Sequence, residues 1–244
     1  MVKHVVALSG GKDSTALALR LQEIEPREYV YVCTPTGNEL PPMFDHWRKL
    51  GDILGTRLTP IMHRTGLKGL IRDEQMIPNF RARFCTRILK IEPYRQWLKE
   101  NTPCVSYVGL RADEEGRAGG AYSDIDGVQM RFPLREWGWK EADVWAYLAE
   151  RGVTIPQRTD CALCYHQRIG EWWDLWKSYP QQWAEGEAIE AERNATFRSP
   201  GRDTWPVAMK DLRAAFEAGR VPLSIQKREA DPNRQIGGCR VCTL

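Results

Sequence analysis

The sequence has no stretch approaching the roughly 18 consecutive apolar residues of a membrane-spanning helix, which excludes a helical membrane anchor. It has little net charge, +3 over 244 residues, and that alone argues for no class of partner. It also lacks the layout of a signal peptide, since Met1-Val2-Lys3-His4 runs directly into an apolar segment. A cytoplasmic location with no membrane partner is therefore expected. Internal repeats and low-complexity tracts are absent. An even cysteine count is missing too: there are seven, Cys33, Cys85, Cys104, Cys161, Cys164, Cys239 and Cys242. An odd number without a signal peptide argues against a disulfide framework. What remains, 42% hydrophobic and 27% charged residues, is ordinary for a globular protein. The length suits one large α/β domain, or a medium domain with an appendage.

Periodicity divides the chain. His4 to Leu8 is a short apolar run that reads as a buried strand. Helical spacing follows over Ser14 to Leu21. Further strands are expected over Tyr29–Cys33, Arg57–Met62 and Cys104–Leu110, with a short extended piece at Met130–Pro133. Helices are expected over Pro41–Leu54 (apolar positions Phe44, Trp47, Leu50 and Leu54), Ile88–Leu98 and Lys140–Arg151. This alternation predicts an α/β fold, a parallel sheet covered by helices on both faces. After about Val153 the strand signals vanish. Residues 1–153 are expected to form the sheet-bearing domain. Residues 154–244 are expected to form a helical region carrying two C-x-x-C pairs. Its tryptophans, Trp172, Trp173, Trp176 and Trp183, sit at helical spacing, which favours core burial over stacking against bases.

The first strand ends in Ser9-Gly10-Gly11-Lys12-Asp13-Ser14, which opens the first helix. Glycines let backbone N–H groups approach an anion closely, and a helix N-terminus adds unpaired donors and a favourable dipole. Ser9 and Ser14 add hydroxyls, and Lys12 offsets phosphate charge. Asp13 would repel bare phosphate, so it makes sense beside Mg²⁺ on a pyrophosphate group. The spacing is not Walker A. The plain alternative is a glycine turn with a Ser/Asp helix cap. Two arginine-rich groups, Arg81, Arg83, Arg87, Lys90 and Arg95, then Arg111, Arg117, Arg131 and Arg135, read either as solvated surface or as contacts to phosphates.

The loop resembles the S-G-G-x-D-S loop of PP-loop ATP pyrophosphatases, and more segments resemble the PAPS-reductase-like family in order. These are Thr36-Gly37-Asn38-Glu39-Leu40-Pro41; Phe84-Cys85 through Lys90-Ile91-Glu92-Pro93; Gly109-Leu110-Arg111-Ala112-Asp113-Glu114 with Arg117; and Phe132-Pro133-Leu134 with Trp137 and Asp143-Val144-Trp145-Ala146-Tyr147-Leu148. The resemblance covers roughly residues 3 to 165. It implies an adenine nucleotide α-hydrolase-like fold with ATP at the strand C-terminal ends. The ATP-contacting set would be Ser9, Gly10, Gly11, Lys12, Asp13, Ser14, Glu39, Gly109, Arg111 and Arg117. Catalytic roles would fall to Lys12, Asp13, Cys85 and Arg111. Arg111 and Arg117 would contact phosphate or a second substrate. Their alternative is salt bridges to Asp113, Glu114 or Glu115. Glu39 reads as a helix-start carboxylate or as a group near the ribose or metal. Trp137, Trp145 and Tyr147 read as core.

Cys161-Ala162-Leu163-Cys164 and Cys239-Arg240-Val241-Cys242 have metal-ligand spacing. Four soft thiolates suit a [4Fe–4S] cluster or Zn²⁺; redox thiols are the alternative. Iron–sulfur adenylylsulfate reductases carry Cys-Cys where this chain has Phe84-Cys85, so Cys85 competes as a ligand. Cys33 and Cys104 lie in expected strands and read as core. Three functions follow. The first is an AMP- and pyrophosphate-forming sulfurtransferase, similar to tRNA-thiolating and DNA-phosphorothioating proteins. In it ATP adenylates an acceptor, DNA or tRNA among the candidates, and sulfur held by a cluster or a cysteine displaces AMP. A sulfur or electron donor protein would be its partner. The second is a reductase of PAPS or adenylylsulfate, although Gly238-Cys239-Arg240-Val241-Cys242 stands where reductases carry Glu-Cys-Gly-[LI]-His. The third is a non-catalytic nucleotide- or nucleic-acid-binding subunit.

Overall fold

The computed structural model describes residues 1–117 and 122–230. In chain order its elements are β1 (Lys3–Ala7), α1 (Lys12–Ile24), β2 (Val30–Cys33), α2 (Pro41–Leu54), β3 (Thr59–Pro60), α3 (Gly66–Asp73) and α4 (Phe84–Thr86). A π-helical turn (Arg87–Ile91) follows, then α5 (Glu92–Glu100), β4 (Cys104–Tyr107), β5 (Val128–Arg131), α6 (Pro133–Glu136) and α7 (Glu141–Glu150). The rest is helical: α8 (Ile169–Ser178), α9 (Pro180–Arg193), α10 (Met209–Glu217) and α11 (Leu223–Ala230).

The five strands form one sheet in the order β3-β2-β1-β4-β5, with every pair parallel. Alternate side chains feed opposite faces. Val6 and Leu8 join Val105 and Tyr107 in a core with α1, α2 and α7. Val5, Ala7, Val32 and Cys104 join Tyr94 and Leu98 of α5 in a second core. The sheet is buried on both faces, which is the α/β class expected.

Strand order reverses between β1 and β4. The loops leaving those two strands therefore diverge and open a crevice at the strand C-termini. The Ser9–Gly11 loop follows β1, and the Val108–Arg111 segment follows β4. Topology alone brings both motifs to one crevice.

A third core unites Leu67, Leu70 and Ile71 of α3 and Leu89 of the π-helical turn with Leu163, Trp172, Trp183, Phe197, Leu212 and Phe216. Trp172, Trp173 and Trp183 are buried, so these tryptophans are core residues rather than a stacking surface. This core draws on residues from both sides of position 153.

Three elements differ from expectation. α3 was not anticipated, although Leu67, Leu70 and Ile71 carry its helical spacing. β3 shrinks to two residues. The helix expected over Ile88–Leu98 is broken by the π-helical turn, where Glu92 N–H bonds the Arg87 carbonyl. Pro93, in the first turn of α5, lacks the N–H that would bond the Leu89 carbonyl, and there α geometry gives way.

Candidate functional site

Past β1 the chain turns at Ser9–Gly11. Gly10 holds φ +86, a left-handed conformation that a side chain would strain. A Cβ there would also strike the Trp47 indole nitrogen at 2.7 Å. Gly11, in extended geometry, precedes the first residue of α1, and no side chain caps the helix. Its first N–H donors are thus left for a ligand, the arrangement that binds anions. The Ser14 hydroxyl donates to the Gly11 carbonyl at 3.1 Å and lies 3.0 Å from the Ser9 hydroxyl. Both serines therefore shape the loop.

Two side chains of α2 hold the loop from behind. The Trp47 indole N–H donates to the Ser9 carbonyl at 3.0 Å. The buried His46 ring bonds the Gly10 backbone in a way that favours its protonated form, as an N–H given to a carbonyl does; burial outweighs this and lowers its pKa. With the Ser9 carbonyl drawn toward α2 and the Gly11 N–H turned to Ser9 Oγ at 3.4 Å, the N–H groups at the start of α1 remain for an anion.

The charged groups form one network. Asp13 Oδ2 accepts from Lys12 Nζ at 3.0 Å and from Arg111 Nη1 at 2.9 Å. Asp13 Oδ1 is buried and has no hydrogen-bond partner among the described residues. Arg111 Nε also donates to Asp113 at 2.9 Å. Burial works against the Arg111 charge, but Asp13 and Asp113 outweigh it and the pKa rises. Arg117 pairs with Glu114. Arg135 donates to the carbonyls of Arg111, Glu114 and Arg117 at 3.3, 2.7 and 2.6 Å, which ties this segment down. The salt-bridge reading thus holds for both Arg111 and Arg117, yet one partner of Arg111 is the loop aspartate itself. Gly109 lets the two segments meet. A Cβ on it would lie 3.1 Å from the Asp13 and Ser14 backbone.

Glu39 Oε1 accepts from the Thr36 backbone and hydroxyl, each at 2.6 Å; its Oε2 is buried without a hydrogen-bond partner among the described residues. Glu39 bridges antiparallel to Cys161, and Asn38 binds the Ala162 and Leu163 N–H groups through its carbonyl and Oδ1 at 2.6 and 2.9 Å. The Thr36–Glu39 turn therefore docks on the C-x-x-C segment. Cys85, Cys161 and Cys164 line one pocket with Thr36, Lys90, Tyr165 and His166. Burial, then the neighbouring Cys85, pushes the Tyr165 hydroxyl up to about 12. Burial, then Arg83 and Arg202, pulls His166 down to about 4. Among the described residues no three His, Cys, Asp or Glu side chains converge to hold a metal ion. Cys239 and Cys242, expected as ligands, lie outside the described residues. Cys33 and Cys104 are buried as expected, and burial, then Glu39, pushes the Cys33 thiol up to about 12.

Sequence reasoning passed over His46, Trp47 as a donor, Asn38 and Thr159. A side chain on Gly11 would meet the Thr159 hydroxyl at 3.8 Å. On α2 the buried stripe is Met43, His46, Leu50 and Leu54, while Phe44 is 49% exposed. A polar residue occupying an apolar position of the helical repeat was the available signal.

A family model described as the phosphoadenosine phosphosulfate reductase domain matches residues 3–170. An uncharacterised protein of Methanocaldococcus jannaschii is 22% identical over 200 residues, which is 77% of this chain; the chain spans 41% of that relative's length. The phosphoadenylyl-sulfate reductase of Candida auris, a phosphate complex, is 15% identical with a TM-score of 0.49, covering 64% of this chain and 76% of its own. The NH3-dependent NAD synthetase of Campylobacter jejuni, with nitrate ion, is 14% identical with a TM-score of 0.46, covering 90% and 87%. The family match spans the loop, the Gly109–Arg117 segment and the Cys161–Cys164 pair, and the chain belongs to the phosphoadenosine phosphosulfate reductase domain family.

Proposed function

We propose that the protein is an ATP-dependent, AMP- and pyrophosphate-forming sulfurtransferase acting on a nucleic acid. The observation that carries this is an intact phosphate loop linked through Thr159 to three thiols: the Thr159 hydroxyl, two residues before Cys161, lies 3.8 Å from where a side chain on Gly11 would begin, and Cys161 shares its pocket with Cys85 and Cys164. ATP fits the loop through its uncapped helical N–H groups and Lys12. Mg²⁺ travelling with ATP fits the unpartnered Asp13 Oδ1; the ion supplies neutralisation of phosphate charge. The soft donors Cys85, Cys161 and Cys164 suit a [4Fe–4S] cluster, with Cys239 or Cys242 as candidates for a fourth ligand. A single Zn²⁺ is the alternative for the same donors. Such a cluster supplies iron–sulfur chemistry to the pocket.

The chain's own groups then act in order. The loop N–H groups and Lys12 hold the β- and γ-phosphates and stabilise charge on the leaving pyrophosphate, the main electrostatic demand of such a transfer. Arg111, moving from Asp13 toward the nucleotide, steadies the α-phosphate. The acceptor oxygen forms a bond to the α-phosphorus as the bond to the β-phosphate bridging oxygen breaks. Sulfide-level sulfur from a sulfur donor then forms a C–S bond to the acceptor carbon as the C–O bond breaks, and AMP leaves with that oxygen. Anaerobically purified protein given ATP, Mg²⁺ and cellular nucleic acid is expected to form AMP and pyrophosphate, and cells lacking the protein are expected to lose a thiolated nucleoside detectable by mass spectrometry. ADP and phosphate as products would reject the reading.

The family match favours a second reading, reduction of PAPS. It leaves the grip on β- and γ-phosphates without a use, because PAPS has no β-phosphate. Thioredoxin-dependent sulfite formation from PAPS would promote it.

A further inference from the structure

From Gln75 to Ile91 the chain carries Arg81, Arg83, Arg87 and Lys90 and no acidic residue. Within this stretch Asn79 and Ala82 exchange backbone hydrogen bonds, each at 3.2 Å. Asn79 Oδ1 accepts from the Arg81 and Ala82 N–H groups at 2.9 and 3.0 Å. The result is a fixed turn with Phe80 and Arg81 at its tip. Phe80 is 47% exposed, a large apolar ring that folding alone would hide. It is braced edge-on by Tyr165 and His166, with ring centres 5.3 and 4.7 Å away. Both braces line the thiol pocket, as does Lys90. An exposed aromatic ring flanked by arginines therefore stands at the rim of that pocket.

We infer that this turn docks an unpaired stretch of nucleic acid, with a base stacked on Phe80 and the flanking phosphates on Arg81 and Arg83. The inference rests on the proposed sulfurtransferase function and names the acceptor's docking surface. The cation-only run matches a polyanion. Arg202 lies over the Phe80 ring, 5.5 Å from its centre, and the surface that leaves Phe80 47% exposed matches a base whose own face is exposed, which a duplex does not offer. Phe80 is held by Asn79 and its aromatic braces before any strand arrives, so little ordering cost falls on binding. The phosphate loop is a different element, so the turn does not compete for the phosphates of ATP.

The test uses the anaerobically purified full chain and labelled oligonucleotides of about 16 nucleotides, as single-stranded DNA, single-stranded RNA and duplex, followed by fluorescence anisotropy over a salt series. Single strands are expected to bind more tightly than duplex, and the DNA and RNA arms identify the source. Phe80→Ala is expected to weaken binding about 5- to 100-fold. Arg81→Ala/Arg83→Ala is expected to reduce the slope of log K against log salt by about one to two. Binding of Mg·ATP, measured on the same samples, is expected to stay at the wild-type level. Equal binding of duplex, or variants that bind like the wild type, would overturn the inference. If Mg·ATP still binds and AMP still forms in that case, the proposed function stands without this surface. Wild-type protein that yields no AMP with any acceptor would instead sink the proposed function. Variants that keep strand binding but lose sulfur delivery from a donor protein would make the turn a protein-docking site and also overturn the inference.

Discussion

Among the described residues, Asp13 carries two cations on one carboxylate oxygen and no hydrogen-bond partner on the other. That carboxylate keeps Lys12 and Arg111 compensated in a half-buried place where unpaired charge is costly. An incoming Mg²⁺ would find the second oxygen waiting, and Lys12 and Arg111 could turn to phosphate. Behind this centre the Trp47 indole holds the Ser9 carbonyl. Trp47→Phe keeps an aromatic ring but removes that donor together with the five-membered part of the indole. Affinity for Mg·ATP and for pyrophosphate is expected to fall roughly 5- to 10-fold, the worth of about one hydrogen bond. AMP affinity should not change, because AMP makes no β-phosphate contact, and the melting temperature should fall by only a few degrees. Titration calorimetry with the three ligands decides it, and unchanged pyrophosphate affinity would leave Trp47 a mere packing residue.

At the scale of elements, the connection between α9 and α10 depends on one buried side chain. Glu190 Oε1 accepts from Phe197 N–H at 2.9 Å and Oε2 from Met209 N–H at 2.7 Å. Burial pushes this carboxyl up to about 7. A carboxyl whose folded pKa is raised binds its proton more tightly in the folded than in the unfolded chain. Its stabilising contribution is complete below the ordinary carboxylate range and is lost as pH rises through the folded value. Wild-type stability relative to Glu190→Gln is therefore expected to decline between pH about 4.5 and about 7, by an amount on the order of a few kcal/mol. Urea melts of both proteins across that window test this, and parallel curves would contradict it.

Over the whole molecule, three cores meet around the site. Two sandwich the sheet and open the crevice at its switch point, and the third, through Leu89 and Leu163, walls the thiol pocket. Among the described residues no helix is long and apolar enough to cross a membrane. Because the pocket joins segments distant in sequence, a cluster bound there would also staple the fold. Anaerobic protein is expected to hold about four irons per chain. Cys85→Ser, Cys161→Ser and Cys164→Ser should each lower the iron content, and chelation should lower the melting temperature. Zinc at one per chain would reject the cluster. Full iron in Cys161→Ser/Cys164→Ser would place it elsewhere.

The sequence by itself determined what depends on neighbours along the chain. Six consecutive residues between an apolar run and a helical repeat spell the phosphate loop. Proline and spacing set α2 at Pro41–Leu54, and the alternation of strands and helices set the fold class. Tertiary structure decided what depends on distance. Arg111 finds Asp13 because β1 and β4 are sheet neighbours. Cys85 lines one pocket with Cys161 and Cys164 because Asn38 and Glu39 dock the C-x-x-C segment while α3 and the helical tail bury a common core. His46 turns inward and Phe44 outward because the core selects a helix face by position, and a polar ring with a backbone partner can occupy it. Propensity and capping act within a turn or two of chain. Proximity between remote side chains comes only from strand order and from burial of surfaces that no local pattern ranks.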